Sequence, residues 1–127
     1  MYKAVKVDGK WEQIEALPIN SINYSVTCPS LSEDGKTLYF SSNMPGGFGG
    51  NDIWKVEVSE GDVYGTPVNL GSKINTEGNE QFPSITDDNL LYFSFSHSMR
   101  SSTAAKKPSV FWRCGVNFKK IPVERGN

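Results

Sequence analysis

Two stretches decide the fold: PSLSEDGKTLYFSSN, from Pro29 to Asn43, and PSITDDNLLYFSFS, from Pro83 to Ser96. They agree at Pro-Ser, at an aliphatic (Leu31, Ile85), at a hydroxyl (Ser32, Thr86), at turn-forming residues, and at Leu-Tyr-Phe-Ser. Pro29 and Pro83 are 54 positions apart but Tyr39 and Tyr92 only 53, so the second copy has lost one turn residue. The correspondence continues upstream. Trp11 and Leu17 stand 53 positions before Tyr64 and Leu70, Ile19 to Ser21 answers Ile74 to Thr76, and YKAVKV (Tyr2 to Val7) aligns with IWKVEV (Ile53 to Val58). A period this long marks one supersecondary unit copied along the chain, each copy burying its apolar face against the next.

Each piece of the unit reads as a strand. KAVKV and WKVEV alternate with the period of two that sends one set of side chains to a buried face. TLYFSS and LLYFSFS have the aromatic content of half-buried strands. Turn signals separate them: Asp8-Gly9-Lys10, Glu33-Asp34-Gly35-Lys36, Asp87-Asp88-Asn89 and the glycine run from Pro45 to Gly50. No window of eleven or more residues sustains a helical period. The chain is therefore expected to be all-β. Four strands in about 53 residues fit a propeller blade, and a sandwich would give similarly regular hairpins.

The chain has 127 residues, enough for one domain, and a net charge of −1. Residues 1–96 hold six basic side chains against thirteen acidic ones, a net −7; residues 97–127 hold seven basic ones against Glu124 alone, a net +6. The balanced total argues against a nucleic-acid-coating protein, and 12% aromatic residues argue against a disordered one. No apolar run approaches the ~18 residues of a membrane helix. The opening MYKAVKVDGKW has neither the basic region nor the apolar stretch of a secretory signal. Cys28 and Cys114 are too few for a disulfide scaffold and show no metal-ligand spacing; their pairing stays open.

The run PSLSEDGKTLYFSSNMPGGFGGNDIWKVEV, followed by PVNLGSKINTEGNEQFPSITDDNLLYFS, resembles the WD40-like Pro-Asp propeller repeat of TolB-type domains. It is nearest to the version in outer-membrane-protein-A-like envelope proteins of Gram-negative bacteria. The resemblance covers about residues 2–96. It implies a partial β-propeller in which 1–27 end one blade and its linker, 28–80 form one complete four-stranded antiparallel blade and linker, and 81–96 begin the next. It also implies a periplasmic or outer-membrane-associated location and a non-catalytic protein-binding or scaffold role, with protein partners of the cell envelope. The alternative is a propeller segment accessory to a peptidase or sugar-processing hydrolase, which related blades accompany. After Phe95 the pattern breaks, without the second glycine run or Asp-Ile pair. Residues 97–127 are then a divergent basic tail, expected from a frameshift, truncation or fused frame, in which 109–113 and 115–119 pair as edge strands. Two blades leave apolar flanks open, so the chain is expected to be marginally stable, to self-associate, or to dock onto another propeller segment.

Among candidate site residues, Gly46, Gly47, Gly49 and Gly50 read as a turn that exploits the freedom of glycine at positive φ. A phosphate cradle fits poorly: Asp52 stands where a dinucleotide fingerprint needs its third glycine, and a strand rather than a helix follows. Asp52 is expected to accept backbone N–H groups within that turn, and Asp34 and Gly35 to form the hairpin turn. Phe48, midway along the loop, is a candidate partner contact. Asn75, Thr76 and Glu80 lie in the linker, either on a ligand-facing rim or tying the linker to neighbouring strands; Asn75 and Glu80 are carried as candidate partner contacts. Asp34, Asp52, Glu80, Asp87 and Asp88 lack the spacing of a calcium loop, so neither metal nor cofactor is expected. His97, the only histidine, has no nucleophile elbow to serve, and no catalytic residue or enzymatic activity is expected. Lys106, Lys107, Lys119 and Lys120 stand near Phe111, Trp112 and Phe118 without a recognisable nucleic-acid module, so nucleic acid is not an expected partner. Tyr39, Phe40, Trp54, Tyr92 and Phe93 are read as core.

Overall fold

A computed structural model describes residues 1–96 and the backbone of residues 121–122. In chain order the strands are β1 (Tyr2–Val7), β2 (Lys10–Ala16), β3 (Val26–Leu31), β4 (Thr37–Ser42), β5 (Asp52–Ser59), β6 (Val63–Tyr64), β7 (Val68–Asn69), β8 (Asn79–Ile85), β9 (Leu90–Ser96) and β10 (Ile121–Pro122). They form three sheets: β1-β2, β3-β4-β5-β6 with β7 also on β5, and β8-β9-β10. Every pairing is antiparallel and no helix occurs among the described residues, so the chain is all-β there. No described helix is long and apolar enough to cross a membrane.

The alternation in β4 sets the layering. Leu38 and Phe40 point to one side, where they join Val26, Trp54 and Val56 and are covered by Leu17, Ile19 and Met44. Tyr39 points to the other side and meets Ile53, Leu91 and Phe93. The middle sheet is thus buried on both faces, by the first linker on one and by β8-β9 on the other. Phe40 and Ile53 are wholly inaccessible, and burying a side chain of this size contributes about 1.5–3 kcal/mol.

The sequence repeat recurs in the hydrogen bonds. Asn75 Oδ1 accepts from the Ile53 N–H at 2.7 Å, and its Nδ2 donates to the Ile53 carbonyl at 2.9 Å. Asn20 does the same to Met1: Oδ1 accepts from the Met1 nitrogen at 2.8 Å, and Nδ2 donates to its carbonyl at 2.7 Å. Leu17 N–H joins the Met1 carbonyl as Leu70 N–H joins that of Ile53, both at 3.1 Å. Met1, rather than Tyr2, therefore corresponds to Ile53. This corrects the sequence alignment of β1 with β5 by one residue, and sets Tyr2 against Trp54 and Lys3 against Lys55. Strand pairing agrees, since Lys6 opposes Trp11 where Val58 opposes Tyr64.

The β3-β4 and β8-β9 hairpins also share their details. Ser32 N–H bonds the Thr37 carbonyl, and Thr86 N–H that of Leu90, each at 2.9 Å. The Ser32 hydroxyl accepts from Thr37 N–H at 3.0 Å, and the Thr86 hydroxyl from Leu90 N–H at 3.1 Å. Four residues lie between the paired ends in the first hairpin and three in the second, which places the lost residue at the tip. Both β3 and β8 carry a bulge at the residue before proline, where Cys28 and Phe82 each have φ of 55°. A residue preceding proline prefers extended backbone, so the motif X-Pro-Ser did not signal this left-handed position.

The fourth strand of the middle sheet departs from expectation. It is divided into β6, beside Val58 and Ser59, and β7, beside Trp54 and Lys55. Gly65, Thr66 and Pro67 separate the two, and proline has no N–H to give to a continuous ladder.

Candidate functional site

The glycine run lies against the linker that leads into β8. A Cβ on Gly47 would strike the Asp52 carboxylate; one on Gly49, the main chain of Thr76, Glu77 and Gly78; one on Gly50, the Asn79 side chain. Of the four glycines only Gly46 has positive φ, at 93°. The expected reason for the run is corrected for Gly47, Gly49 and Gly50. Gly49 and Gly50 are required by close approach of the linker and Gly47 by the Asp52 carboxylate at the end of its own loop, not by left-handed backbone.

Asp52 is almost wholly buried and takes the local role expected of it. Its Oδ2 accepts from Phe48 N–H at 2.5 Å and from Asn69 Nδ2 at 2.9 Å. Asn69 Oδ1 in turn accepts from Gly71 N–H and Asn75 Nδ2, each at 2.8 Å. Asp52 Oδ1 is buried and has no hydrogen-bond partner among the described residues. Further along, Asn79 Oδ1 accepts from Asn51 N–H at 2.9 Å, and Gly50 N–H donates to the Gly78 carbonyl at 2.8 Å. The C-terminal end of the loop is therefore held by atoms of the linker and β8, and its middle by Asp52.

Glu80 is fully buried, with its carboxylate accepting from Thr76 N–H at 3.0 Å and from the Thr76 hydroxyl. Its backbone N–H bonds the Asn51 carbonyl at 2.7 Å, and its carbonyl accepts from the Ser41 hydroxyl at 2.6 Å. Asn75 is 2% exposed. The rim reading of Asn75 and Glu80 as partner contacts is corrected on this ground: their polar atoms are turned inward, joining linker to sheet. Phe48 is different. Its side chain is 50% exposed on a loop whose backbone is fixed, so a large apolar group is displayed.

Asp34 and Gly35 form the β3-β4 turn. Asp34 Oδ1 accepts from the Ser32 hydroxyl at 2.7 Å and from Lys36 N–H at 3.0 Å, while Gly35 takes φ of 71°. Asp88 accepts from the Thr86 hydroxyl at the equivalent turn. These acidic side chains stand at separate turns, and no group of three or more His, Cys, Asp or Glu gathers among the described residues. His97, Cys114, the paired lysines and the expected strands 109–113 and 115–119 lie outside the described residues.

Sequence reasoning missed a second surface, on the β1-β2 hairpin. Tyr2, Ala4 and Lys6 share one face with their cross-strand neighbours Ala16 and Trp11. Tyr2 and Trp11 are 70% and 67% exposed, and the Lys6 ammonium stands 5.7 Å from the Trp11 ring centre. The opposite face is tied to the middle unit by Lys3, whose ammonium lies 2.5 Å from Asp62 and 3.2 Å from Glu15. By the corrected register, the bare face corresponds to Trp54, Val56, Val58 and Tyr64, which in the middle unit pack with Met1, Leu17 and Ile19. The signal was present in the repeat, but a one-residue slip in β1 turns each side chain to the wrong face. Comparison with protein-family models, curated proteins and solved structures finds no match to this chain.

Proposed function

We propose that the chain is a non-catalytic scaffold segment of a cell-envelope β-propeller protein, built of stacked blade-like units that display the Phe48 loop to a protein partner. The observation that carries this reading is the repeated seam. Asn20 and Asn75 hold Met1 and Ile53 by the same two main-chain groups, and the sheet that follows the first seam packs against the one that follows the second. Such an array serves to hold surfaces at fixed spacing, since each unit contacts only its neighbours. The envelope setting draws its support from the sequence resemblance over residues 2–96.

The test places a photo-crosslinking phenylalanine analogue at Phe48, or at exposed Glu60 as control, and irradiates the chain with Gram-negative envelope extract. Adducts with a non-enzymatic envelope protein at position 48, absent at position 60, are expected. A peptidase or sugar-processing enzyme captured there would favour the accessory role instead. Equal labelling from both positions would refute display by this loop.

A further inference from the structure

We propose that the recess between the β1-β2 hairpin and the middle sheet is a docking site for a basic peptide segment. The segment inserts one large apolar side chain into the recess and lays its lysines or arginines on the carboxylates beside it. Asp52 and Val58 stand near opposite ends of β5, about 20 Å apart along an extended strand, so this site is separate from the Phe48 loop.

The recess is built by segments distant in sequence. Leu17, in the linker after β2, and Leu38, on β4, close it from within, each 6% exposed. Leu31 on β3, Val58 on β5 and Tyr64 on β6 form its sides. Leu31 is 54% exposed, so the apolar lining runs out to the surface. The volume is about 220 Å³, below the roughly 300–1,000 Å³ of sites that enclose a whole small molecule. One leucine- or phenylalanine-sized side chain is the occupant that fits this room. Walls of this kind give a polar group nothing in exchange for its water, so the entering group is apolar. An anchor of that sort, seated in a preformed pocket, carries most of the affinity of a small interface.

Charge decides what flanks the anchor. Lys3 and Asp62 line the same recess, and the Lys3 ammonium is already matched by Asp62 and Glu15. Past Gly35 and Val58 the recess opens onto a shallow polar surface lined by Asp34, Lys36, Glu57 and Glu60. Across both, the cations Lys3 and Lys36 stand with the carboxylates of Asp34, Asp62, Glu57 and Glu60, a net −2. Glu57 and Glu60 are exposed and have no ion-pair partner among the described residues. An acidic segment would be repelled here, and a neutral one would leave both glutamates unmatched; lysine or arginine beside the anchor meets them. Such complementarity selects the partner and speeds encounter more than it tightens the complex.

The test uses the full-length chain and dye-labelled peptides of the pattern Lys-Lys-Phe-Lys-Lys, titrated by fluorescence anisotropy in about 50 mM salt. Saturable binding below about 1 mM is expected. Replacing the phenylalanine by alanine, or the lysines by glutamate, should each weaken it at least about tenfold. On the chain, Leu31→Lys puts a cation at the lip of the recess and should weaken binding at least about tenfold; Glu57→Gln combined with Glu60→Gln should weaken it about threefold or more. A urea midpoint for Leu31→Lys within about 0.3 M of the unsubstituted chain shows that the loss is local. If Leu31→Lys unfolds the chain, the glutamine pair, at two exposed positions, decides alone. No saturation, equal binding of the alanine or glutamate peptide, or unchanged binding by a folded variant would overturn the proposal. Phe48→Ala is expected to leave the peptide affinity unchanged, which separates failure here from failure of the scaffold reading; a loss as large as that of Leu31→Lys would place the site elsewhere and overturn it.

Discussion

Replacing Asn75 by alanine removes three hydrogen bonds at once, and its effect follows from what each partner keeps. The Ile53 carbonyl retains Leu70 N–H, and Asn69 Oδ1 retains Gly71 N–H. The Ile53 N–H loses the acceptor given by Asn75 in a residue with no solvent access. An orphaned buried donor costs about 1–3 kcal/mol and each bond lost elsewhere about 1 kcal/mol at most, so Asn75→Ala is expected to destabilise by about 2–4 kcal/mol. Asn20→Ala is the internal comparison. Its partner groups on Met1 are only partly buried, and water can replace the side chain, so about 1 kcal/mol is expected. Urea unfolding followed by tryptophan fluorescence reads both. At about 2 kcal/mol per molar, the Asn75→Ala midpoint falls by roughly 1–2 M and that of Asn20→Ala by about 0.5 M. Equal losses, or a loss below about 0.5 kcal/mol for Asn75→Ala, would refute the account of the seam.

Gly49→Ala is expected to destabilise by about 1–3 kcal/mol, because its Cβ meets backbone of 76–78 that cannot rotate away, whereas Gly9→Ala meets open space and fails only through its positive φ. Calorimetry on Gly49→Ala should therefore show a lowered Tm together with faster hydrogen exchange across 76–80; an unchanged melt would refute the close approach. Burial first, then the Asp34 carboxylate, raises the Tyr39 hydroxyl above its ordinary 10.0. A raised folded value makes this contribution complete below pH 10 and lost as pH climbs through the folded value. Urea midpoints between about pH 8 and 11 should fall more for the unsubstituted chain than for Tyr39→Phe, and parallel curves would contradict the shift.

The repeat, the strands of the middle sheet and the Asp34-Gly35 turn were legible because local chemistry and long-range pattern agree there. β1 was misaligned by one residue because short alternating strands of Lys, Val and Ala match in either register, and the bonds from the Asn20 side chain and Leu17 N–H to Met1, with the pairing of Lys6 and Trp11, distinguish them. The bulges at Cys28 and Phe82 escaped because the local preference before proline points the other way. Asn75 and Glu80 look like surface residues by type, and their burial depends on partners distant in sequence from Asn75 (Ile53) and Glu80 (Ser41). Positive φ accounts for Gly46, but Gly49 and Gly50 owe their identity to steric contact with a segment almost thirty residues downstream, which a local reading does not contain.

The Lys3 ammonium, set between Glu15 and Asp62, is an ionic clasp from the β1-β2 hairpin to the turn between β5 and β6. Its carboxylate partners are open to water, so added salt loosens this clasp while leaving the apolar clusters on the two faces of the middle sheet intact.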